Sequence, residues 1–81
     1  MENNYQTLSE ALKCKNFGIF VNSNGEYCNV SRYYIKNTLK FQVIFNKDYT
    51  EMATRPAIDS TSEKRILKLL NSENFKLVWE K

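Results

Sequence analysis

The residues that could do chemistry in this chain are few, and the commonest of them is missing. There is no histidine, so the side chain that most often moves protons near neutral pH is absent. Cys14 and Cys28 would each need activation by neighbouring charge or a helix end alone, and they read instead as small buried or half-buried thiols. The acids Asp48, Glu51 and Asp59 fall in or beside one loop, where solvated carboxylates are far commoner than a tuned acid pair. The enzymatic chemistry that stays open is a histidine-free ribonuclease toxin working through Arg32, Tyr33, Lys36 and Arg55. Against it stand only three arginines and a weak net positive charge.

Metal and cofactor chemistry find no support. The two cysteines form no CxxC pair and no zinc-ligand spacing, and no glycine-rich loop is present to cradle a phosphate. No cofactor and no metal are expected. A disulfide is not expected either, because the N-terminus lacks the basic start and apolar middle of a secretion signal, which points to the cytosol of a host cell. No apolar run approaches the ~20 residues that a membrane helix needs.

The 81 residues suffice for one domain with a single small core. Hydrophobic residues make up 42% and charged ones 26%, with only two glycines and one proline, the profile of a folded globule. Twelve Lys and Arg against nine acids give a net charge of +3, which permits nucleic acid as a partner without demanding it.

Thr7-Leu8-Ser9-Glu10 is a capping box and opens a short helix expected to end at residues 16–18. Residues 17–21 are rich in strand formers, and Asn24-Gly25 marks a hairpin turn with the return strand starting at Tyr27. Leu39, Phe41, Val43 and Phe45 alternate with polar neighbours and predict a strand with one buried face. Residues 31–38 fit either a two-turn helix or an extension of the second strand to a turn at Asn37-Thr38, and the clustered Tyr33, Tyr34 and Ile35 favour the strand.

Residues 47–58 read as a loop, with a turn of helix near Tyr49 to Ala53 and a break at Pro56. Ser60-Thr61-Ser62-Glu63 is a second capping box, starting a helix that turns Ile66, Leu67, Leu69 and Leu70 inward. Phe75, Leu77 and Trp79 then alternate on one side of a last strand. The expected fold is a small α+β domain over residues 1–81: a three-stranded antiparallel meander plus a C-terminal strand, packed by an N-terminal and a C-terminal helix.

Surface rather than chemistry is what these elements offer. Aromatic residues beyond the needs of the core sit in the second strand, and Tyr, Trp and Arg are the residues enriched at interface centres. The sequence therefore points to a non-enzymatic protein that binds a protein partner, with Tyr27, Arg32, Tyr33, Tyr34, Lys36, Tyr49 and Arg55 as candidate contacts and the 47–58 loop as a second contact. The alternative is a small nucleic-acid-binding protein or transcriptional regulator stacking bases on the same aromatics. Asn, Lys, Ile, Phe and Tyr make up 34 of the 81 residues, all with A/T-rich codons. That bias in so small a domain suggests a phage or mobile-element accessory protein, one that inhibits a host protein in the manner of anti-defence factors. A monomer and a homodimer paired through an exposed strand edge both fit.

Overall fold

A computed structural model describes residues 5–47 and 53–80. Its elements run α1 (Leu8–Ala11), β1 (Phe17–Val21), β2 (Glu26–Ile35), β3 (Thr38–Lys47), β4 (Ile58–Ser60), α2 (Glu63–Ser72) and β5 (Lys76–Glu80). The strands form one antiparallel sheet in the order β4-β3-β2-β1-β5. The α+β architecture, the meander and the added C-terminal strand match the sequence expectation, and residues 31–35 are extended.

The core lies on one face of the sheet. Phe20, Cys28, Val30, Phe41, Val43 and Phe45 point to that side and pack against Leu8, Ala11, Leu12, Ile66, Leu67, Leu70 and Phe75. Leu69, expected inside, is half-buried against the same cluster. The approach is close at Gly18, where a β-carbon would stand 2.8 Å from methyl groups of both Leu12 and Leu77.

Several local expectations are corrected. Thr7 does cap α1, accepting from the Glu10 amide at 3.0 Å, but the Glu10 carboxylate accepts from the Gln6 amide rather than from Thr7. The helix stops early because Lys13 and Cys14 take left-handed backbone conformations (φ 50° and 62°), so Lys13 and Lys15 lie beyond its end. Cys14 is exposed, contrary to expectation, whereas Cys28 is buried. At the other helix the cap is Ser62, whose hydroxyl accepts from the Arg65 amide. Ser60 cannot start that helix because residues 58–60 are spent on β4, pairing with residues 41–43 of β3.

Both hairpin turns rest on positive φ. Gly25 (φ 79°) donates to the Asn22 carbonyl, while the Asn22 side-chain oxygen accepts from the amides of Asn24 and Glu26, and β2 begins at Glu26. The β2–β3 turn is Lys36-Asn37, one residue earlier than expected, with φ of 49° and 66° in the mirror-image geometry that two-residue hairpins favour. In β5 a register shift between the pairs Ile19–Trp79 and Phe20–Leu77 inserts Val78 as an extra residue. Trp79 is thereby turned to the face opposite Leu77, and the expected Phe75-Leu77-Trp79 alternation fails there.

Candidate functional site

Two surfaces stand out once the helices are placed. The first is the end of the β2–β3 hairpin. Strand β1 pairs with β2 only as far as Ser31, and β4 pairs with β3 only as far as Phe41, so residues 32–40 continue past the sheet as a two-stranded arm. Its root is braced on both sides. On the helix side Arg32 donates to the Ser9 hydroxyl at 3.1 Å and the Asn16 side-chain oxygen at 3.3 Å, and its amide donates to the Asn16 carbonyl at 2.8 Å. On the opposite side the Tyr33 hydroxyl donates to Asp59 at 3.2 Å. Slight desolvation and that bond to a carboxylate both raise the Tyr33 phenol above its ordinary range.

The arm's tip presents apolar surface and positive charge together. Tyr34 is 72% exposed and Ile35 45%, and Lys36 occupies the turn itself. Residues 27–47 hold four cations, Arg32, Lys36, Lys40 and Lys47, and no acid at all. That run is legible in the sequence as a charge asymmetry, and total net charge conceals it.

The second surface is the face of the sheet turned away from both helices. Strand register places Tyr27 opposite Val21, Ile19 beside both Trp79 and Asn29, and Ile44 on the far side of Asn29. Phe17 meets Trp79 edge to face at 5.7 Å. Among the described residues no helix lies on this face, and Trp79 is half exposed. Lys40, Lys76, Gln42 and Asp59 stand around its margin.

The candidate contacts divide accordingly. Tyr27 and Tyr33 share the open face, Arg32 and Tyr34 the helix side, and Lys36 the tip, so Arg32, Tyr33, Tyr34 and Lys36 converge only as parts of the arm. Tyr49 lies outside the described residues, as does the turn of helix expected beside it except for its last residue, Ala53, which bridges to Asn46. Arg55 sits at the other end of β2, about 30 Å along the strand at ~3.3 Å per residue. Its guanidinium donates to Glu26 at 2.7 and 3.2 Å and to Glu73 at 3.0 Å, and stacks 4.1 Å above the Phe45 ring, while Thr54 also donates to Glu26. Partial burial pushes the Glu26 carboxyl up, yet the bonds from Arg55 and Thr54 outweigh it and hold the group below the usual carboxylate range. The pairings with Glu73 and Glu26 raise the Arg55 guanidinium further.

The four residues of the ribonuclease idea are thus spread over both faces and both ends of the sheet. Burial raises the Cys28 thiol well away from thiolate formation. No group of three or more Cys, Asp or Glu capable of holding a metal occurs among the described residues, and no described helix is long and apolar enough to cross a membrane. No protein-family model, curated protein or solved structure matches the chain.

Proposed function

We propose that this chain is a non-catalytic binding protein that engages a partner protein through the β2–β3 arm. The observation that carries the reading is the arm's tip, where Tyr34 and Ile35 are exposed beside Lys36 on a hairpin braced at its root. An aromatic and an aliphatic side chain on a rigid support lose little entropy on docking and fill a pocket, and surrounding cations select an acidic rim. The partner surface that fits is an apolar pocket edged by Asp and Glu. The A/T-favoured residue usage supports a phage or mobile-element source, with a host protein occluded by the arm as the mode of action.

Nucleic acid fits the same arm less well. Affinity for a phosphate backbone grows with the number of phosphates neutralised, and here three cations are spread over nine residues, with Arg32 turned back toward α1. The opposite faces taken by Arg32 and Tyr33, and the distance of Arg55 at the far end of β2, likewise favour binding over RNA cleavage.

Affinity capture from nuclease-treated lysate of the native host, with the Tyr34→Ala/Lys36→Glu double variant as parallel bait, tests the proposal. A protein recovered by the parent and lost by the variant, with unchanged melting of the variant, is the expected result. Equal recovery by both baits, or recovery that depends on intact nucleic acid, overturns it.

A further inference from the structure

We infer that the open face of the sheet is the contact between two copies of this chain, packed face to face about a two-fold axis. The surface is distinct from the arm's tip, although Asp59 also braces the arm's root through Tyr33, so self-association is measured apart from partner capture. Its centre is apolar, built from Phe17, Ile19, Val21, Tyr27, Ile44 and Trp79, and α1 and α2 both pack on the other side. Strands at ~4.8 Å spacing over the five residues of β1 at ~3.3 Å give a patch of at most about 24 by 17 Å in projection, since β4 and β5 flank the three central strands at opposite ends and share only the row of Gly18, Val30 and Val43. Doubled and with side-chain relief included, this approaches the ~1,000 Å² at which specific interfaces begin, which suits a weak dimer.

Charge favours a second copy over an unrelated occupant. Across the face, Lys76 stands on β5 opposite Val21, and Asp59 stands on β4 opposite Gln42. These are the two outermost strands, and the two residues occupy opposite corners. A two-fold axis crossing that diagonal sets Asp59 of each copy against Lys76 of the other, so one cation and one anion per chain are matched twice. The remaining cations of the hairpin are at or beyond its margin, where repulsion between copies is weaker.

Sedimentation equilibrium from low micromolar to submillimolar protein tests this directly. The expected result is a rise from one to two chain masses, accompanied by a blue shift in the emission of Trp79, the only tryptophan. Ile44→Lys, at a site already 38% exposed, should hold the chain at one mass without changing its melting midpoint. Independently, Asp59→Lys should weaken self-association at least tenfold, and the exchange Asp59→Lys/Lys76→Asp should restore it. A single chain mass at every concentration, a dimer that survives Ile44→Lys, or no rescue by the exchange overturns the inference.

Discussion

Arg32 and Tyr33 are consecutive in β2 and anchor the arm from opposite faces, Arg32 to Ser9 and Asn16 beside the helix and Tyr33 to Asp59 on β4. The alternation of a strand makes this possible, since neighbours point to opposite sides. A hairpin that leaves its sheet is held in direction at this point. The exposed residues beyond it then meet a partner with their support already ordered.

Removing one brace should therefore affect binding more than stability. Tyr33→Phe deletes a single solvent-exposed hydrogen bond, so the melting midpoint should hold within about two degrees. The arm's amides should exchange faster, read by hydrogen exchange at residues 34–39. Unchanged exchange there would show that the brace does not restrain the arm.

The same contact has a pH signature. The Tyr33 phenol is raised above its value in an unfolded chain, so the hydrogen bond's contribution is fully present below about pH 10 and is lost as pH rises through the raised value. Burial also raises the Tyr5 phenol, so absorbance titration of phenolate should show late ionisation from both, of which the Tyr33 part alone moves earlier in Asp59→Asn. A curve identical to the parent's would contradict the contact.

The clasp around Arg55 predicts acid sensitivity. Glu26 is depressed in the folded chain, so its contribution is present above the unfolded carboxylate value of about 4.3 and is lost as pH falls through the lower folded value. Arg55→Met should destabilise at pH 7 by about 1–2 kcal/mol, a figure discounted because the guanidinium is a third exposed. The variant's stability should then fall less steeply with acid than the parent's. Parallel slopes in thermal melts between pH 6 and pH 3 would place the acid response elsewhere.

How much of this was legible in the sequence depends on how local the cause is. The alternation from Leu39 to Phe45 names a buried face because a strand's period is two, and Thr7 sits where a helix start needs a hydroxyl, whereas the second cap falls on Ser62 instead of Ser60 because pairing with β3 takes up residues 58–60. Strand β4 is illegible because three residues carry no period and exist as a strand only by pairing with β3. Trp79 changes face through a bulge that no pattern announces. Arg55 is held by acids 29 and 18 residues away, so its structural role is a product of folding. The acid-free run across residues 27–47 was present all along, masked by a whole-chain average.

Lys36 gives the most discriminating prediction, because stability and binding should move in opposite directions. It occupies a turn position with φ 49°, where a lysine is strained by about 1 kcal/mol and asparagine is far better tolerated. Lys36→Asn should raise the melting midpoint by a few degrees while removing the cation at the arm's tip. Affinity for the captured partner should fall about three- to tenfold, with a shallower dependence on salt. Since a stabilised arm is better ordered, weaker binding cannot come from damage to the fold; it must come from the lost charge. If affinity instead holds or improves, the tip works by shape alone and the acidic rim assigned to the partner is wrong.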